Sequence, residues 1–311
     1  MRLNIHFNNL YTSMANTVFH IEGGIGKNIA ATAMIAAYKK AKPKRKIVVV
    51  SAWPEIFVNN PDIDRFYRIG NTPYFYRDVI FNKDVEIYCQ DPYRQTEHIT
   101  KKKHLIETWC NMVGVKYTDE PVSLHYNFRE VEEAKSMAAQ FNDPAKPLLI
   151  FQPFGGPGKD HQPSPYAWTR DLHPQHAQEI VNVLKDKYNI VHVCYDFHPQ
   201  LENCHRFDAI IGKKPLFALM SFSEKRLLID SSLQHAAAAL GLPSVVLWVA
   251  TQPGTFGYPI HNNITPTKTF PEGTIDSYLF DYQFTGQIHE CPYDQATEIH
   301  SIDNIIKAVD G

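Results

Sequence analysis

Two stretches of the chain put polar side chains and free backbone donors where an apolar run gives way to a helical pattern. The first is Glu22-Gly23-Gly24-Ile25-Gly26-Lys27-Asn28, between TVFHI (17–21) and NIAATAMIAAYKKAK (28–42). Glycines let backbone approach a ligand at a helix N-terminus, so Gly23, Gly24 and Gly26 form a candidate binding turn. The plainer alternative is a tight turn with no ligand. An ATPase phosphate loop is excluded by spacing, because Gly26-Lys27 would need Gly at 21 and Ser or Thr at 28, where Ile21 and Asn28 stand. The dinucleotide pattern GxGxxG fails as well, since Gly24 and Gly26 are followed by Ile29.

The second stretch is RLLIDSSLQHAAAALGLPSVVLW (226–248). It sets Asp230, Ser231 and Ser232 after an apolar strand and directly before a helix. Unpaired N–H groups and the helix dipole there suit a diphosphate, and the serine hydroxyls can cap the helix or donate to phosphate. Simple capping by Asp230 or Ser231 is the competing reading. His235, one turn in, would by itself be an ordinary helix histidine.

These residues need elements to hold them. TVFHI and KIVVVSA (46–52) read as buried strands joined by a helix, which implies parallel pairing through a right-handed crossover. KKHLIETWCNMVGV (102–115) and FREVEEAKSMAAQF (128–141) read as helices, the latter with Val131, Ala134 and Met137 on one face. NDPAK (142–146) breaks the pattern and marks a domain boundary. A second alternating series follows: strands at 147–152, 189–194, 208–211, 226–230 and 244–249, and helices at 173–187, 232–241 and the C-terminus. Two strand–helix series predict an α/β protein of two Rossmann-like halves, residues 1–145 and 146–311.

With those elements in place, Asp230-Ser231-Ser232-Leu233-Gln234-His235 followed by AAAALGLPSVVLW resembles a motif of the heptosyltransferase-like glycosyltransferases, family nine of the glycosyltransferases. That motif is Asp-Thr/Ser-Gly-x-x-His, an Ala-rich helix, Gly-x-Pro and a buried strand. Thr251-Gln252-Pro253 resembles the family's Thr-x-Pro loop, NPDIDRFYRIG (60–70) its segment after the second strand, and the opening glycine turn its beginning. The resemblance implies a GT-B fold with a ligand cleft, an acceptor-binding first domain and a nucleotide-sugar-binding second one. It also implies metal-independent, inverting transfer from a nucleotide-diphosphate sugar, with no further cofactor.

On that resemblance Asp230 would hold the donor sugar, Ser231, Ser232 and Leu233 the diphosphate, and His235 would close the donor motif. Arg170, in TRDLHPQH, resembles the family's phosphate-gripping basic residue, with Lys159 in reserve. Two positions depart from the pattern. Ser232 replaces a glycine, and Lys27 stands at the catalytic position of the family's first-turn aspartate, its general base. A protonated lysine is a poor proton acceptor, so Glu22 in the same turn is nominated as the base, ahead of His20 and Asp91.

Bulk properties leave this reading open and close others. The 311 residues are 44% hydrophobic and 21% charged with a net charge of −2, as in ordinary globular proteins. No apolar run has the roughly 20 residues that a membrane span needs, and the polar start MRLNIHFNNLYTSM lacks a signal-peptide core, so a cytoplasmic protein without integral membrane association is expected. The five cysteines and 15 histidines are scattered, without CxxC or HExxH spacing, and point to no metal site.

Charge is uneven: 19 Lys+Arg against 16 Asp+Glu up to residue 145, and 12 against 17 beyond it. The run Lys39, Lys40, Lys42, Lys44, Arg45, Lys46 is either a solvated helix end or a patch for a polyanion. A saccharide is the expected acceptor. DNA carrying a hydroxylated base is an alternative, compatible with that run and with Tyr38, Tyr67, Tyr74, Phe75 and Tyr76. A non-catalytic nucleotide-sugar-binding protein is the other alternative, motivated by Lys27.

Overall fold

The computed structural model describes residues 15–141, 143–155, 166–209, 213–271 and 291–311. Its first sheet holds β1 (Ala15–Ile21), β2 (Lys46–Ser51), β3 (Arg65–Arg68) and β4 (Asp84–Tyr88), in the order β3-β2-β1-β4. Every pairing is parallel. The KIVVVS run of β2 is continuous because both faces are covered: Ile47 and Val49 join the main core, while Val48 and Val50 join a smaller cluster with Val18, Tyr67 and Val79.

The second sheet holds β5 (Leu148–Phe151), β6 (Asn189–Cys194), β7 (His205–Asp208), β8 (Lys225–Ile229), β9 (Val245–Leu247) and β10 (Asn262–Ile264). Their order is β10-β9-β8-β5-β6-β7, again all parallel. Both sheets follow the doubly wound order, with strand progress reversing at β1/β4 in one and at β5/β8 in the other. In such sheets ligands bind beyond the carboxyl ends of the strands at that reversal.

Helix α1 (Ile25–Ala41) joins β1 to β2, and its alanines 30, 31, 33 and 37 are all buried. A helix apolar on every side must be enclosed. Small side chains let the sheet, α3 (Leu105–Met112) and α7 (Ser232–Ala239) all pack against α1. One apolar cluster therefore runs from Phe19 in the first sheet through α1 to Trp248 beyond β9. Between β4 and α3 lies the short α2 (Thr96–Ile99).

Helix α4 (Phe128–Ala139) begins at a capping box in which Asn127 and Glu130 satisfy each other's backbone N–H groups. Ala134 and Ala138 are buried and Met137 packs against the core, whereas Val131 is exposed, so two of the three residues expected on the buried face lie there. It packs on α6 (Lys213–Leu219), and Glu130 meets Lys214 at 2.8 Å. The strand expected at 208–211 lies at His205–Asp208, where Phe207 supplies the buried residue; positions 210–212 fall outside the described residues. Helix α5 (Pro174–Leu184) and the terminal α10 (Ile302–Asp310) pack together, and α10 also meets β8 and β9. The short α8 (Pro253–Phe256) and α9 (Ala296–Ile299) complete the α-helices among the described residues.

Candidate functional site

At the reversal of the second sheet, β8 ends at Ile229 and the chain passes through Asp230 and Ser231 into α7. Ser231 is the N-cap: its hydroxyl accepts from Leu233 N–H at 3.3 Å and donates to Gln152 Oε1 at 2.5 Å. Gln152 follows β5, so one hydroxyl ties together the two loops that flank the reversal. Ser232 opens the helix, and Leu233 is buried in the core. Asp230 is only 8% exposed and accepts a 2.5 Å hydrogen bond from the Thr251 hydroxyl. Burial raises its pKa, while the Thr251 bond, the charge of Arg170 and Gln234 act in the opposite direction.

Arg170 lies on the same rim with its side chain 25% exposed, its Nε 3.8 Å from Asp171 Oδ1. Asp171 is buried and accepts from the N–H groups of Gly155 and Ala167, each at 2.8 Å. A Cβ at Gly155 would stand 2.6 Å from Arg170 Nε, so this position has to be glycine for the guanidinium to lie where it does. Lys159 lies outside the described residues.

At the reversal of the first sheet, β1 leads through Glu22, Gly23 and Gly24 into α1, with Gly26 and Lys27 in its first turn. Gly23 adopts φ 98°, and its carbonyl accepts from the indole of Trp53 at 3.1 Å. Glu22 points outward at 72% exposure, 3.8 Å from His20 Nδ1. Lys27 behaves differently. It is 5% exposed, with Nζ 2.8 Å from Asp91 Oδ1 and over the rings of Tyr93 and Trp109 at 4.9 and 5.8 Å. A buried ammonium needs such a counter-charge. Asp91 stands beyond β4, on the loop next to the glycine turn.

The two reversals meet. A Cβ on Gly26 would stand 2.6 Å from His235 Cδ2, so the first turns of α1 and α7 touch only because residue 26 has no side chain. His235 is buried, with Nδ1 2.7 Å from the Tyr258 hydroxyl and Nε2 3.1 Å from the Gln234 amide. Burial, reinforced by His104 and His261, pushes its pKa down to about 3, so it is a neutral ring in the seam. His104 Nε2 reaches Gly257 O at 3.0 Å, and Phe256 meets both Tyr93 and His98 edge-on.

Sequence reasoning missed Gln152, Asp171, Trp53 and Tyr258. Gln152 closes a strand at its carboxyl end and Asp171 adjoins Arg170, which were usable signals; Trp53 and Tyr258 gave none.

The lysine run is largely neutralised. Lys39 pairs with Asp64, Lys40 with Glu120, Lys42 with Glu86, and Arg45 with Asp84 and Glu86. Tyr38 and Tyr67 are buried, so the patch expected to offer them to bases does not form; Tyr74 and Tyr76 are exposed. Among the described residues no group of three or more His, Cys, Asp or Glu side chains is placed to hold a metal ion, and no helix is long and apolar enough to cross a membrane.

No protein-family model and no curated protein matches the sequence. Solved structures do. A family 9 glycosyl transferase from Veillonella parvula superposes with TM-score 0.69 at 16% identity, over 95% of this chain and 96% of that one. The fold is GT-B. The Escherichia coli ADP-heptose lipopolysaccharide heptosyltransferase II gives TM-score 0.58 at 13% identity, over 86% of this chain and 95% of its own. TibC, an iron-containing dodecameric glycosyltransferase from enterotoxigenic E. coli, gives 0.64 at 12% identity, over 96% of this chain and 76% of its own. The GT-B likeness thus spans both sheets and the seam between them.

Proposed function

We propose that the protein is a glycosyltransferase that moves a sugar from a nucleotide-diphosphate sugar to an acceptor hydroxyl. The carrying observation is the β5/β8 reversal, where Arg170, the N-terminus of α7 and the buried Asp230 converge around loops tied by Ser231 and Gln152. A diphosphate there would take charge-assisted hydrogen bonds from Arg170 and from N–H groups of α7. Asp230 would orient the sugar hydroxyls. In the transition state negative charge builds on the departing diphosphate, and these donors would stabilise it without a metal ion. Attack from the face opposite the leaving group would invert the anomeric centre.

The donor would belong to residues 146–311 and the acceptor to residues 1–145, with the seam between α1 and α7 bringing the two together. Neighbours of this fold named for ADP-heptose make an ADP-linked sugar the first donor to try. A saccharide is the favoured acceptor, because carboxylates already answer much of the lysine run that a polyanion would use. The test is product formation, by mass spectrometry, from a panel of nucleotide sugars offered with saccharides or with hydroxymethylated DNA. Sugar transfer to a saccharide is the expected outcome. Nucleotide binding without transfer or donor hydrolysis would reduce the protein to a binding module.

A further inference from the structure

We propose that Asp91 is the general base of the transfer and that Lys27 is its positioning residue, an inference that rests on the glycosyltransferase reading. Asp91 stands just beyond the carboxyl end of β4, at the reversal of the first sheet, where a bound acceptor belongs. One carboxylate oxygen, Oδ1, takes both fixed donors: Lys27 Nζ at 2.8 Å and Tyr93 N–H at 3.0 Å. Among the described residues Oδ2 has no such donor, and the side chain is 34% exposed. The carboxylate is therefore held by one oxygen and open at the other, as a base poised for a hydroxyl should be.

The holder is itself rigid. Lys27 is enclosed by Tyr93 and Trp109 and sits in the first turn of α1, where Asn28 anchors the helix through Ser51 and Gly24 O. Tyr93 meets Phe256 edge-on, so the loop that carries Asp91 is braced against the half that would bind the donor. Glu22 has none of this. It is mostly exposed, and its neighbour His20 lies at 3.8 Å.

In the step itself the acceptor oxygen forms its bond to the anomeric carbon while its proton passes to Asp91 Oδ2. The bond from the anomeric carbon to the phosphate oxygen breaks, and its electron pair leaves on the nucleoside diphosphate. Asp91 then returns the proton to solvent.

The test uses the full chain and whichever nucleotide sugar of the panel the wild type turns over fastest, read as nucleoside diphosphate release. Asp91→Asn should lower kcat by about 100-fold or more, the range of general-base catalysis, and change nucleoside diphosphate affinity less than threefold. Because that variant strands a buried ammonium, Lys27→Met/Asp91→Asn is its partner: both charges are gone and the fold is relieved, yet turnover should stay low. Formate should restore part of the turnover of Asp91→Ala by supplying a carboxylate in the vacated space. Recovery of the double variant to near wild-type turnover would make the pair a structural bridge and overturn the proposal, as would full activity of Asp91→Asn. A wild type that turns over no nucleotide sugar would overturn the glycosyltransferase reading, and this one with it.

Discussion

At the end of β1 the chain turns through glycines into α1 and buries a cation, Lys27, against Asp91; at the end of β8 it turns through serines into α7 and buries a carboxylate, Asp230, against Thr251. The backbone plan is shared, since each turn sits at the reversal of a doubly wound sheet and each opens a helix N-terminus. What differs is which partner answers the buried charge. In the first turn the ammonium is fixed and almost wholly buried, and its carboxylate partner is partly exposed. In the second the carboxylate is enclosed, and the cation on its rim, Arg170, is partly exposed. The fold supplies two equivalent turns, and on the proposed reading the charge nearer the surface would decide what each takes: a hydroxyl beside a carboxylate, a diphosphate beside a guanidinium.

The largest expected effect tests the seam that joins the two turns. Buried His98, with a pKa pushed down to about 4 by burial and by His104, and His235, at about 3, are neutral in the folded protein. In the unfolded chain each takes a proton near pH 6.5. Their folded values are depressed, so the unfolded state binds more protons below pH 6.5, and stability falls as pH drops from there towards 4. Each such histidine contributes up to about 1.4 kcal/mol per pH unit in that window. Urea unfolding from pH 7 to 4.5 should show the loss, and His98→Phe should flatten the slope; an unchanged slope would remove His98 from the seam.

Next in size is the glycine that lets the turns touch. Gly26→Val should destabilise by about 1–3 kcal/mol, because its side chain runs into an imidazole that Tyr258 and Gln234 hold in place. Gly24→Ala, two residues earlier, meets nothing within 4 Å and should cost less than about 1 kcal/mol, the loss of a favourable N-cap glycine. Equal costs would mean that α1 and α7 do not meet as described. The smallest effect belongs to the lysine run. Replacing Lys42, Lys44 and Lys46 with Gln should leave sugar transfer within about twofold at any salt concentration, since exposed ion pairs contribute little. A steep salt dependence that the triple variant abolishes would return the nucleic-acid acceptor.

Much of this plan was legible in the sequence. The apolar runs in KIVVVS and PLLIF, and NIVHVC with only His192 interrupting it, name central parallel strands, and the Asp230–His235 motif with the alanines after it places a capped helix at the carboxyl end of a strand. The GT-B fold was inferred from that motif, and the solved structures bear it out. What could not be read was long-range. Lys27 and Asp91 are far apart in sequence, and only the pairing of β1 with β4 brings their loops together. His104 meets Gly257 across 153 positions, next to the seam where α1 packs on both α3 and α7. Short edge strands were misplaced or passed over, β7 by its register and β3 because RFYR alternates with exposed residues and shows no apolar run. On α4, Ala134 and Met137 face the core as expected, but Val131 is exposed and Ala138, small enough to admit α6, is buried in its stead.

A nucleoside diphosphate held at the β5/β8 reversal should be seen by isothermal titration of the wild type and of Arg170→Ala with ADP, UDP and GDP. Saturable one-to-one binding of one of these to the wild type is expected. Its affinity should fall by about 10- to 100-fold in Arg170→Ala, the loss of a charge-assisted hydrogen bond to phosphate, while the unfolding midpoint changes little. Equal affinity in the two proteins, or no binding of any of the three to the wild type, would rule out a diphosphate site at this reversal.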